Sequence, residues 1–328
     1  MTPLAFEEKY LAEWHELAGL LANMQSGHGW SRAAGEPQAG ERLAALYRRA
    51  CEHLATARAR AYPAHLIERL ELLTQDAHQA IYRVHDFGLW RLARLMLGDF
   101  PRAVRAHARY VWLAAVLLFL PAIVMAILVY RSPELVLSVM DADQTADFER
   151  MYSPASDSIG RSRDADTDWT MFGFYVRHNT SLAFRCYAGG LFAGLLSIFS
   201  LAYNGIAMGA VAGYLTERGL GGTFWSFVAT HSAFELTAIV LAGGAGMRLG
   251  HSLLAPGRKS RLQSLVAAAR GSVDIIFGVA MMLMIAAAIE AFWSSVPWLP
   301  PALKYSVAAL CWLAVLTWLV RGGRSRAR

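Results

Sequence analysis

His231 and Glu235 stand four positions apart in HSAFELTAIVLAGG, a stretch with no other ionisable residue. On a helix that spacing places both side chains on one face. An ionisable pair inside an apolar span is costly and therefore points to a role. Three chemistries fit. Glu235 could pair with Arg185 or His231 and lock helices together. The pair could form a proton relay or ligand site in a transport cavity. It could also hold a metal, although two candidate ligands fall short of the usual three or four. HSAFE lacks the second histidine and adjoining glutamate of the HExxH zinc-protease motif. Asn204, in the pair Asn204-Gly205, completes a candidate intramembrane polar site of Arg185, Asn204, His231 and Glu235. Glu235 is expected to face the protein interior, because an unpaired carboxylate in lipid is strongly disfavoured.

Other reactive residue types form no constellation. Asp164, Asp166 and Asp168 resemble a calcium-binding run, but no glycine or distal glutamate completes an EF-hand. Cys51, Cys186 and Cys311 are scattered without metal-like or disulfide-like spacing. GLGG at Gly219 to Gly222 reads as a flexible outer loop, and there is no P-loop, dinucleotide fingerprint or nucleophile motif. The expectation is a protein that is not an enzyme and has no cofactor or resident metal. Asp274 and Glu290 fall at the ends of an apolar span and are expected to be solvated, while Arg248 is expected to snorkel to the inner surface.

The elements that must position the polar set are helices in a membrane. Only 17% of the 328 residues are charged, against about 25% in soluble proteins. Residues 1–107 hold amphipathic stripes that predict a cytoplasmic helical bundle: Trp14, Leu17, Leu20 and Leu21; then Leu43, Leu46, Tyr47, Ala50 and Leu54; then Leu66, Leu70, Leu73, Ala77 and Ile81. Ser26 to Gly40 reads as a loop, Pro63 as a break, and a further helix is expected near Phe87 to Leu97. Residues 108–328 form the transmembrane domain, so the fold class is all-α with an integral membrane helical bundle. Six spans are predicted, at about 110–130, 182–203, 206–216, 227–249, 273–292 and 303–320. Trp169, Phe172, Phe174 and Tyr175 suggest an aromatic segment lying at the outer surface.

Charge sets the orientation. Arg91, Arg94, Arg102, Arg105 and Arg109 precede the first span, and loop 131–168 after it holds nine acidic and four basic residues. Arg258, Lys259 and Arg261, and the tail of Arg321, Arg324, Arg326 and Arg328, flank later spans. The positive-inside rule then puts both termini in the cytoplasm and the 131–168 loop in the periplasm of a bacterial inner membrane. The opening residues are acidic and amphipathic, so the first span is expected to act as the membrane signal. The net charge of +6 is explained by orientation, and no nucleic-acid partner is expected. Glycines four apart (Gly190 and Gly194; Gly205, Gly209 and Gly213; Gly246 and Gly250) predict close helix packing, within one chain or at a homodimer seam.

These residues also carry a family likeness. HSAFELTAIVLAGGAGMRLG, the Asn204-Gly205 pair preceded by Gly190 and Gly194, LYRRACEHLATARAR, and DFPRAVRAHARY together resemble the stage II sporulation protein M family. Ser232 stands where glycine is common in that family. The resemblance covers nearly the whole chain and is to a long form with a cytoplasmic helical domain. It implies a scaffold, since the sporulation member anchors peptidoglycan-degrading partners. Related genes often sit beside a MoxR-type ATPase. The expected role is a membrane scaffold in cell-envelope maintenance, with membrane lipid and envelope proteins as partners. The alternative is a transporter or lipid flippase with a polar cavity around His231 and Glu235.

Overall fold

In a computed structural model of the chain, residues 1–25, 37–82, 89–154, 159–160 and 168–324 are described; they are mostly helical with no strand among them. Asp164, Asp166, Arg326, Arg328 and most of the expected Ser26 to Gly40 loop lie outside the described residues. The chain divides into two units, Met1–Leu89 and Trp90–Arg328.

The first unit contains α1 (Pro3–Gln25), α2 (Pro37–Ala59) and α3 (Ala64–Tyr82). Their apolar stripes bury one another, as a helix with one apolar face requires. Phe6, Trp14, Ala57, Leu66 and Leu70 form one cluster, and Leu17, Leu43, Leu46, Ala50 and Ala77 a second. Ala61, with φ 50°, and Pro63 turn the chain between α2 and α3. Arg42–Glu16, Arg49–Glu13, Arg58–Glu71 and Arg69–Glu7 link the helices on the outside; exposed pairs of this kind add little.

The second unit starts at residue 90 rather than 108, because the helices before the first span belong to the membrane bundle. α4 (Leu89–Arg94) leads through a π-turn, Leu95–Asp99, into α5 (Phe100–Ala106). Phe100 is fully buried, 5.0 Å from the Trp318 ring and against Gly278. Trp318 Nε1 donates to the Met96 carbonyl at 2.8 Å, and Arg105 to the Leu319 carbonyl at 2.7 Å.

Beyond them run α6 (Ala108–Arg131), α7 (Ala142–Met151), α8 (Asp168–Ala188), α9 (Leu195–Glu217), α10 (Gly221–Leu254), α11 (Arg261–Arg270), α12 (Val273–Ile289) and α13 (Pro301–Arg321). α12 continues as a π-turn, Glu290–Ser294. Among the described residues, five helices are long and apolar enough to cross a membrane: α6, α9, α10, α12 with its extension, and α13. Trp112, Val116, Leu120, Ile123 and Ile127 on α6, and Leu310, Leu313 and Leu316 on α13, are exposed as lipid-facing residues would be.

Packing fixes their directions. Gly205, Gly209 and Gly213 lie against the backbones of Leu118, Ala122 and Ala126, in the same order, so α9 runs parallel to α6. A chain that crosses twice in one direction must return between, and α8 makes that return. Its Tyr175 packs on Ala287 and Ala291, while Tyr187 bonds Ser272 at the other end of α12. Tyr175 to Gly190 spans about 22 Å at 1.5 Å per residue. Six helices therefore run the length of the bundle, which brings the start of α6 and the end of α13 to the same end.

This corrects the second and third expected spans. There is no break at Asn204-Gly205, which sits mid-way along α9. The break is at Gly189–Gly194, where Ala193 (φ 56°) and Gly194 (φ 85°) adopt left-handed conformations and reverse the chain. Trp169 to Tyr175 are the first turns of α8 rather than a separate segment; Trp169 stays exposed, and it and Phe172 pack on Phe292.

Candidate functional site: a polar cavity within the helical bundle

α8, α9, α10 and the π-turn after α12 line a half-open cavity of about 660 Å³, with α7 walling one end. That volume falls within the roughly 300–1,000 Å³ of small-molecule sites. α7 is held over it by local chemistry: Asp141 and Gln144 form a reciprocal capping box at its start, and Glu149 accepts from the Tyr214 hydroxyl at 2.7 Å. Tyr152 packs edge-on to Phe224 and Phe227 of α10.

α10 places His231 and Glu235 one turn apart on the cavity wall. His231 Nδ1 lies 3.1 Å from the Ser294 hydroxyl, which fixes the ring. Its Nε2 faces Glu235 Oε2 at 3.8 Å, too far for a hydrogen bond. Glu290, from the π-turn, joins them: one ligand atom from each of His231, Glu235 and Glu290 lies within 4.8 Å of the others. π-turns insert a residue into a helix and are frequent at functional sites. Lys304 of α13, 1% exposed, secures this turn by donating to the carbonyls of Ser294 at 2.8 Å and Val296 at 2.7 Å.

Of the four residues expected from sequence, three line the cavity: Asn204, His231 and Glu235. Asn204 donates to the Ser200 carbonyl at 2.7 Å. Arg185 does not join them. It is exposed on α8, beside the buried Ala183 and Cys186, and makes no ion pair with Glu235. Glu290 overturns the expectation of a solvated span end, since the π-turn carries the helix to Ser294 and leaves Glu290 buried. Lys304 and Asn179 were also missed. Asn179, 1% exposed, lines the cavity from α8, and its Nδ2 has no hydrogen-bond partner among the described residues. An Asn in a helix with two arginines and a histidine, Arg177-His178-Asn179 and Arg185, was the available signal. Arg248 is half-buried at the opposite end of α10, donating to the Ala268 carbonyl.

The seven glycines of the expected packing motifs are all buried within the chain. Gly190 and Gly194 meet Gly246 and Gly250 of α10, and a methyl on Gly246 would collide with the Cys186 carbonyl.

The family model described as Stage II sporulation protein M matches residues 114–295, more than half the chain. The chain belongs to the stage II sporulation protein M family. The matched region contains α7 to α12 and the π-turn, so every wall of the cavity lies within the family's own domain. Residues 4–83 match a second family, described as Domain of unknown function (DUF8413). No curated protein and no solved structure matches the chain. With its five apolar helices, this member of the family is a multi-pass membrane protein.

Proposed function

We propose that this family member binds and moves a small polar solute across the bacterial inner membrane, through the cavity around His231, Glu235 and Glu290. The observation that carries this reading is the cavity itself. Polar side chains inside a membrane bundle are costly unless they face one another, a ligand or water, and here three ionisable groups converge on a space large enough for a ligand. The π-turn at Glu290–Ser294 departs from regular helix where α12 meets the cavity, as irregular helix does in the binding sites of transporters. Nothing in this reading requires catalysis. Positive charge beside α6 and α10 supports a cytoplasmic location for both termini and a periplasmic one for α7.

Cysteine labelling tests accessibility and orientation together, in a chain whose native cysteines are replaced. Met208→Cys, on the cavity wall, and Asp143→Cys, on α7, should react with a small impermeant thiol reagent added from the periplasmic side. Lys259→Cys should not. An inert Met208→Cys in lipid rules out a solute-accessible cavity, and the opposite pattern at Asp143 and Lys259 reverses the orientation.

The N-terminal unit favours a second, compatible role. It has its own apolar cores and its own family match, which suits a docking module for envelope proteins such as a MoxR-type ATPase. Affinity purification of the full chain and of a truncation starting at Trp90 should recover different partners. Identical partners would remove the docking role.

A further inference from the structure

We propose that His231, Glu235 and Glu290 form a binding site for a divalent transition-metal cation within this cavity. This deepens the solute-cavity reading and rests on it.

The donors are one imidazole nitrogen and two carboxylate oxygens, from one turn of α10 and the π-turn after α12. Two donors each about 2.1 Å from a tetrahedral ion sit about 3.4 Å apart. The observed 3.8 Å between His231 Nε2 and Glu235 Oε2 needs a contraction of about 0.4 Å to close on such an ion, and the 4.8 Å limit on the set needs at most about 1.4 Å. The histidine is oriented for it: with Nδ1 on the Ser294 hydroxyl, Nε2 is the nitrogen that faces the Glu235 carboxylate. Metal-bound histidines regularly hold their second nitrogen in this way. Lys304 in turn pins the Ser294 backbone, so the orienting hydroxyl is itself fixed.

A second observation points to a ligand. Asn179 is 1% exposed and lines the same cavity, yet its amide nitrogen has no partner among the described residues. An amide can be turned over to present oxygen to an ion, or keep its N–H for water bound to one. Either would add a donor from α8 to the cavity that holds the other three.

Donor type and charge select the ion. A dication with two carboxylates and a neutral imidazole sums to zero charge, which suits the interior of a membrane bundle. Calcium and magnesium favour all-oxygen sites, whereas imidazole with carboxylates suits zinc, manganese or ferrous iron.

The test is cobalt titration of the full chain in lipid nanodiscs, followed by visible absorption and competed with zinc. The expected result is saturation at one cobalt per chain, displaced by zinc and not by calcium. Glu290→Gln and His231→Gln should each weaken binding at least tenfold while eluting as the wild type does. Should those variants not fold, Ser294→Ala removes only the hydroxyl that orients the ring and should weaken binding about 10- to 100-fold. The absence of saturable cobalt, equal competition by calcium, or unchanged affinity in the folded variants each overturns the site. Met208→Cys labelling on the same preparation separates the two readings: labelling without cobalt binding sinks the metal and keeps the cavity, whereas no labelling sinks both.

Discussion

Between Phe224 and Glu235, α10 lines the cavity with aromatic rings, the Ser232 hydroxyl, an imidazole and a carboxylate; from Ala238 to Met247 every residue is buried against a neighbouring helix. The two halves belong to one continuous helix. In the second half the backbone is the packing surface: Gly246 approaches the carbonyl of Cys186, Gly250 the backbone at Gly194, and Gly243 the side chain of Leu201. In lipid, where apolar side chains gain little by leaving one leaflet component for another, such close approach holds helices together. Substitutions should therefore hurt stability in one half and function in the other.

The largest expected effect lies in the seam. Gly246→Val should destabilise the bundle by about 3 kcal/mol or more, at or beyond the upper end for overpacking, read as loss of the folded peak and a lowered Tm in detergent. Gly222→Ala, with nothing within 4 Å of the new methyl, should leave Tm unchanged. A tolerant Gly246 would mean that the two halves do not differ in packing.

Next comes the π-turn that faces the open half. Lys304→Met removes the ammonium from two buried carbonyls and should cost about 3 kcal/mol, since hydrogen bonds to charged groups contribute roughly 1.5–3 kcal/mol each. If thermal unfolding shows no loss, the π-turn stands without that lysine.

On the open side, Glu235→Gln should change stability by less than about 1 kcal/mol, because its neighbour is cavity space and the shape is kept. It should nevertheless abolish complementation of a deletion strain. A variant as active as the wild type would show that the carboxylate only faces water, and a variant that unfolds would make Glu235 part of the seam.

The smallest effect sharpens the contrast with a sealed histidine elsewhere. His53 in α2 accepts from the Trp14 indole at 3.1 Å and lies among Phe6 and Tyr10. Burial lowers its pKa from the ordinary 6.5. The folded state thus binds fewer protons than the unfolded one, so this stability is full above pH 6.5 and lost as pH falls through 6.5 towards the lowered value. Hydrogen exchange of the full chain should show faster opening of α1 and α2 at about pH 5 than at about pH 7, beyond the intrinsic chemical difference. His53→Leu should remove that excess, and a wild-type profile without it would mean that the imidazole is not sealed.

The same contrast explains what was readable in the sequence. Apolar runs mark helices that face lipid, so α6, α10, α12 and α13 stand near their expected places. α8 escaped because it faces the cavity: Arg177, His178 and Asn179 lower its hydropathy, and its aromatic start resembles an interfacial segment. Asn204-Gly205 has the chemistry of a turn in water, but Gly205 in α9 serves close approach to Leu118. His231, Glu235 and Asn204 were legible because polar residues in apolar surroundings are conspicuous. Glu290 was not, because only the π-turn turns a span end into a cavity wall.

The α6–α9 seam has a consequence for the timing of synthesis. Its contacts join residues as far apart as Leu118 and Gly205, 87 positions along the chain. At roughly 5–20 residues per second, about 4–17 s separate the emergence of the two partners. Throughout that interval α6 is in the membrane without its closest neighbour, and the loop, α7 and α8 must all be made before α9 arrives to cover it. The tightest junction of the bundle is therefore closed late, at a moment set by the ribosome rather than by the rate at which two helices find one another.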